Sequence, residues 1–321
     1  MAITNNGDIP LSLAIWLLHD DYDHNPDPNT ISATSLLKPL RSIVLGRTIP
    51  SSKDMDLMDL VPSSMGSAIH TAVETAWLKP QLELPLQRLG YSQEIARKVV
   101  INPKVLVAGD LPVYMENRRV KPLGKWYVSG KYDFVIDGVL EDFKSTSTWA
   151  FIFQSNVTKF IEQGSIYKWL NPDIITEEYM NITYIFTDWS ATKAKQDHSY
   201  PQHRIQVQKL QLMTIEETEK FLQNKLSQIE KYEVLPAADL PLCTKEELWQ
   251  RDSVWKYYKD PTKTTRSTKN FDNAAAAYAR LSADGVGNVI EVPGEAKRCV
   301  YCEVRNVCTQ AEQLELEGIL K

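Results

Sequence analysis

Hydrophobic and polar positions alternate over several short stretches of this chain and recur at helical spacing over several longer ones. Val113 to Glu116, Lys125 to Val128, Tyr132 to Ile136 and Val139 to Phe143 read as strands, because β-branched and aromatic residues dominate them. Ile182 to Phe186 and Arg204 to Leu212 extend the series. Ile69, Ala72, Val73 and Ala76 fall on one helical face, with Ser63 or Ser64 able to cap its start. Gly66, His70 and Glu74 share a different face of that helix. Further helices are predicted over Gln93 to Val99 and Val157 to Leu170, and from the capping box Thr214-Ile215-Glu216-Glu217 to about Tyr232. The order predicts an α/β (α+β) fold, a central mixed sheet flanked by helices.

After Pro236 the texture changes. A basic, threonine-rich stretch, an alanine-rich helix after Asp272 and all four cysteines lie beyond it. The expected division is a core with an N-terminal helical region over 1–235 and a C-terminal extension over 236–321. Gly285 reads as a helix-ending turn.

Asp137-Gly138 lies between two apolar runs and predicts a two-residue type I′ hairpin, which needs positive φ at both positions. Counting outward from that turn, Phe134 pairs with Glu141 and Asp133 with Asp142. Two carboxylates opposed at about 5 Å destabilise a sheet unless a cation sits between them. Mg²⁺ or Mn²⁺ suits them, and Lys144 projects from the same face as Asp142. Carboxylates, a hard cation and a lysine are equipment for phosphodiester hydrolysis. A solvated surface hairpin is the alternative at this stage.

Composition narrows the classes. Hydrophobic residues make up 43% and charged residues 24% of 321, ordinary for a globular protein. The net charge of −5 requires any nucleic-acid contact to come from a local basic patch. The stretch Lys256 to Lys269 supplies one, with Lys256, Lys259, Lys263, Arg266 and Lys269 among Trp255, Tyr257 and Tyr258. Cations for phosphates and aromatics for stacking fit a single-strand track; a charged loop is the alternative. The polar start and the short apolar run from Leu11 to Leu18 predict neither a signal peptide nor a membrane span, so a cytoplasmic location is expected. In that setting Cys243, Cys299, Cys302 and Cys308 favour a metal site over disulfides. His70, off the apolar stripe beside Gly66, is a candidate ligand for the carboxylate site. Gln163 and Tyr167, four residues apart, could contact phosphates or brace the lysine.

These residues together resemble the RecB-like branch of the PD-(D/E)XK nuclease superfamily. Gly66 to His70 matches its Gly-x-x-x-His, Gly130 and Asp133 its Gly-x-x-Asp, Asp142-Phe143-Lys144 its Asp-x-Lys, and Gln163 with Tyr167 its Gln-x-x-x-Tyr. The resemblance covers about residues 31 to 170 and the cysteine tail. It implies a restriction-endonuclease-like core and a DNA exonuclease in recombination, repair or phage DNA processing. His70, Asp133 and Asp142 would then hold Mg²⁺ or Mn²⁺, Lys144 would assist, and Glu116 would take a supporting role. The expected substrate is DNA, single-stranded or with free ends, and a recombination or replication protein is an expected partner. Cys299-x₂-Cys302-x₅-Cys308 is similar to the C-terminal cluster of iron–sulfur nucleases in this branch, among them CRISPR-adaptation exonucleases and AddB-type nucleases. That likeness implies a [4Fe–4S] cluster, with Zn²⁺ as the alternative. Those proteins take their fourth cysteine from upstream of the nuclease motifs, whereas Cys243 lies downstream of them all. A nucleic-acid-binding scaffold subunit and a site-specific endonuclease are the other functions the sequence allows.

Overall fold

The computed structural model describes residues 3–19, 25–49, 55–262 and 265–320, which divide into two compact units. The larger comprises Ala2–Leu37 and Met55–Ser227. It opens with β1 (Ile3–Thr4) and α1 (Leu11–Leu18), followed by β2 (Thr30–Ser32) and β3 (Met55–Asp56), and β1 pairs in parallel with β3.

Its main sheet has six strands in the order β11-β10-β9-β8-β5-β4. These are β4 (Val99–Ile101), β5 (Leu111–Met115), β8 (Phe134–Ile136), β9 (Val139–Thr146), β10 (Tyr179–Phe186) and β11 (Ile205–Gln211). β9 and β10 run parallel, as do β4 and β5, and the remaining neighbours are antiparallel, so the sheet is mixed. The alternation of β10 buries Met180, Ile182, Tyr184 and Phe186 on one face. A second sheet, β2-β7-β6, adds β6 (Arg118–Leu123) and β7 (Trp126–Lys131). The fold is the expected α/β type.

Two helices matter most for the site. α2 (Leu57–Trp77) starts six residues before Ser63, and this corrects the predicted cap. Asp56 caps it, in a capping box with Asp59, while Ser63 bonds back to the Leu60 carbonyl inside the helix. Pro62 therefore lies within the helix, where a proline costs about 3 kcal/mol. The capping box and the packing of Leu57 against Ala14 and Leu17 offset that cost. α3 (Val157–Leu170) forms where its spacing predicts and buries Ile166, Tyr167, Trp169 and Leu170. α4 (Ile215–Tyr232) follows, begun by the Thr214–Glu217 capping box.

β6 was not evident in the sequence. Its Arg, Lys and Pro122 look unlike a strand, yet charge and proline are what an edge strand carries, and Gly124 with φ of 62° turns it back into β7.

The smaller unit comprises Met1, Lys38–Asp54 and Gln228–Lys321. It holds a three-stranded antiparallel sheet in the order β13-β12-β14, formed by β12 (Val254–Tyr258), β13 (Lys269–Phe271) and β14 (Asn288–Val292). α5 (Ala274–Asp284) is the alanine-rich helix, ended by Gly285 in the left-handed conformation. One apolar cluster joins Val44 and Leu45 to Leu240 and Val304. Another surrounds Cys299 with Leu248, Ala296, Ala311 and Leu314. No helix among the described residues is long and apolar enough to cross a membrane.

Candidate metal centre

The hairpin forms as its sequence dictates. Asp137 and Gly138 have φ of 50° and 75°, and the register pairs Ile136 with Val139, Val135 with Leu140 and Phe134 with Glu141. The ladder stops there. Asp133 does not continue it opposite Asp142 as the count from the turn predicts, because the chain bends between β7 and β8 at Tyr132-Asp133. Its carboxylate instead accepts a hydrogen bond from the Phe143 backbone N–H at 2.9 Å. The side chain thus completes the ladder that the bent backbone leaves open.

Close approaches fix the surrounding elements. A Cβ on Gly130 would lie 2.6 Å from Leu170 Cδ1 and 3.0 Å from the Tyr167 ring, so only glycine lets α3 lie this close to β7. A Cβ on Gly66 would meet Ser145 Oγ at 3.3 Å, where α2 crosses β9. That crossing delivers His70. Its Nε2–H donates to the Phe143 carbonyl at 3.2 Å, and its Nδ1 stands 3.5 Å from Asp133 Oδ2 and 4.0 Å from Glu116 Oε1. The donation leaves the Nδ1 lone pair for a cation in the neutral imidazole.

Glu116 therefore enters the site directly. Ligand atoms of His70, Glu116 and Asp133 all lie within 4.8 Å of one another. Glu116 holds a φ of 52°, sparsely populated for a residue with a side chain, and its N–H donates to the Asp133 carbonyl. Lys131 forms an ion pair with its other oxygen at 2.5 Å. Burial pushes the Glu116 carboxyl up, Lys131 opposes that, and Asp133 and Glu74 add to it. The hydrogen bond to Asp133 raises the His70 pKa against the effect of burial.

Asp142 stands beside this trio, only 1% exposed. Its Oδ2 forms an ion pair with Lys144 Nζ at 2.5 Å. Burial drives its carboxyl pKa up and Asp133 adds to this, while Lys144 opposes both. Burial disfavours the Lys144 ammonium, but Asp142 and Asp133 outweigh burial and keep it charged. Lys144 also lies over the Phe160 ring on α3. Gln163 donates to the Tyr167 hydroxyl at 2.8 Å, and buried Tyr167 fills the space over Gly130. Glu141, on the other face, hydrogen-bonds with Asn181.

In the smaller unit all four cysteines line one cavity of about 30 Å³, together with Arg41 and Ser42. No disulfide links them. Burial, followed by the fields of Glu247, Cys308 and Cys299, pushes the Cys243 thiol up to about 12. Burial, followed by Cys302 and Cys308, pushes Cys299 to about 11. Sequence reasoning did not find Arg41, whose one local signal is a charge on the buried face of the helix Leu40–Thr48.

The basic stretch divides between strands and a loop. Lys256 lies half-buried on β12, Lys259 and Arg266 are exposed in the loop, and Lys269 is exposed on β13. Lys263 lies outside the described residues.

No family model matches this chain, and no curated protein does. Six chains of known structure match. One is the crystal structure of SSO0001, 13% identical with a TM-score of 0.38, covering 64% of this chain and 78% of that one. Another is a phage-related exonuclease from Haemophilus somnus 129PT, 12% identical with a TM-score of 0.32, covering 63% and 80%. Likenesses this slight carry no functional conclusion.

Proposed function

We propose that this protein is a Mg²⁺- or Mn²⁺-dependent nuclease of the RecB-like kind, acting as an exonuclease on DNA with free ends. The observation that carries this reading is the convergence of His70, Glu116 and Asp133 within 4.8 Å beside the buried Asp142–Lys144 pair. One imidazole nitrogen and hard carboxylate oxygens fit Mn²⁺ or Mg²⁺, and Asp142, whose Oδ2 is already paired with Lys144, borders that ligand set. Bound there, such an ion would polarise a phosphoryl oxygen and acidify a water.

The chain's own residues do the rest. Phe143 holds both neighbours through its backbone, donating to Asp133 and accepting from His70. Asp142 and Asp133 keep Lys144 cationic, so a fixed positive charge stands where negative charge develops on phosphate. Glu116 anchors Lys131 and lends its free oxygen to the ligand set. Gln163 and Tyr167 brace α3 against β7.

The four thiols suit a thiophilic centre, which we assign as a structural [4Fe–4S] cluster held by Cys243, Cys299, Cys302 and Cys308, with Zn²⁺ as the alternative. Lys256, Lys259, Lys263, Arg266 and Lys269 would guide the strand. The test is degradation of linear DNA labelled at one end, with Mg²⁺ or Mn²⁺ against EDTA. Circular single strands added in parallel separate exonuclease from endonuclease, since only an endonuclease cuts them.

A further inference from the structure

Arg41 is a buried cation with no carboxylate partner among the described residues. Only 2% of it is exposed. Its guanidinium donates from Nη1 to the Leu240 carbonyl at 2.8 Å, and from Nη2 to the Ala237 carbonyl at 3.1 Å and Thr309 Oγ1 at 2.6 Å. Those acceptors are neutral. The remaining bond runs from Nε to Cys308 Sγ at 3.2 Å. The next residue, Ser42, places its hydroxyl 3.7 Å from Cys302 Sγ.

A guanidinium cannot shed its proton, and a buried charge without a counter-ion is strongly unfavourable. Here the one group bonded to the guanidinium that can turn anionic is the Cys308 sulfur, while Glu247 acts on the cavity from the side of Cys243. With neutral thiols every acceptor bonded to the guanidinium is uncharged. With four thiolates on a dipositive ion or a dipositive iron–sulfur core, the centre carries two negative charges and the guanidinium offsets one.

We infer that Arg41 is a positioning residue for a negatively charged metal–thiolate centre, orienting Cys308 by its Nε–H···S bond and stabilising the charge of the loaded form. This rests on reading the cysteine cavity as a metal site. It also accounts for the Leu40–Thr48 helix, which contributes no cysteine, reaching the cavity at all. The helix brings a cation where another thiolate would only add negative charge.

The experiment compares the full-length wild type with Arg41→Gln, Arg41→Lys and Thr309→Val, all purified anaerobically. Metal content by elemental analysis, metal retention against a chelator and melting temperature with and without metal are measured. Arg41→Gln should weaken metal retention about 10- to 100-fold, the usual effect of losing a group that orients a ligand. It should also shrink the rise in melting temperature that metal confers, because the metal-free form loses a cation bonded only to uncharged groups and the loaded form one bonded to a thiolate. Arg41→Lys keeps the charge and should keep most of that rise. Thr309→Val removes one of the four bonds that hold the guanidinium but leaves its charge and its bond to sulfur, and should weaken metal retention less than Arg41→Gln does.

A purely structural arginine would lower both melting temperatures equally, and an unchanged metal-dependent rise in Arg41→Gln overturns the inference. Should Arg41→Gln fail to fold, Arg41→Lys decides: loss of the rise despite the retained charge also overturns it. A wild type that binds neither iron nor zinc rejects the metal reading itself and the inference with it. A colourless wild type holding one zinc rejects iron–sulfur alone and leaves the retention test in force.

Discussion

Phe143 organises the candidate metal centre without contributing a side chain to it. Its N–H fixes Asp133 and its carbonyl fixes the His70 tautomer, so two candidate ligands are set by the peptides on either side of a single residue. The count from the Asp137-Gly138 turn misplaces Asp133, which the bend at Tyr132-Asp133 takes off the ladder, while Asp142 and Lys144 fall on β9, where that count makes them legible. Glu116 as a ligand is not, since its place depends on a left-handed residue at the end of β5 and on the bend at Tyr132-Asp133. Asp133→Ala, Asp142→Ala and Lys144→Ala should each lower cleavage at least about a hundredfold in folded protein, because each removes part of the charge arrangement around the phosphate. Glu141→Ala should be far milder, and steady-state rates on linear DNA check both expectations. His70→Ala should raise the Mn²⁺ concentration needed for half-maximal activity or abolish activity. Unchanged metal dependence would return His70 to a purely packing role.

Elements are positioned here by what the chain leaves out. Gly130 and Gly66 mark the two places where helices press on strands, and the sequence flags them only as glycines in motifs. Gly130→Ala must push Leu170 and Tyr167 aside, which should destabilise the protein by about 1–3 kcal/mol, read as a lower midpoint of denaturant unfolding. A midpoint equal to the wild type would mean that α3 yields freely. The start of α2 is hidden in the sequence because Ser63 and Ser64 look like caps, while the true cap, Asp56, precedes an apolar run with no obvious periodicity. The strands β12, β13 and β14 are only three to five residues long, too short for alternation to mark them in the sequence.

At the scale of the whole molecule, the two compact units each hold one candidate centre, carboxylates and imidazole in the larger and thiols in the smaller. The sequence displays the cysteine spacing but not the return of Lys38–Asp54 to Gln228–Lys321, because helical periodicity says nothing about which distant segment covers a face. Anaerobically purified protein should be brown with about four irons per chain. Cys243→Ser should lose iron and melt at a lower temperature, since metal binding of this kind is folding free energy. Full iron content in that variant would place the fourth ligand elsewhere. The decisive experiment is the digestion of linear DNA labelled at one end by wild type and Asp142→Ala, with Mn²⁺ and with EDTA. The wild type with Mn²⁺ should lose label progressively from the end, with none lost by either protein in EDTA and at least about a hundredfold less by the variant; equal digestion by the variant, or by the wild type in EDTA, would rule out a metal-dependent nuclease centred on Asp142.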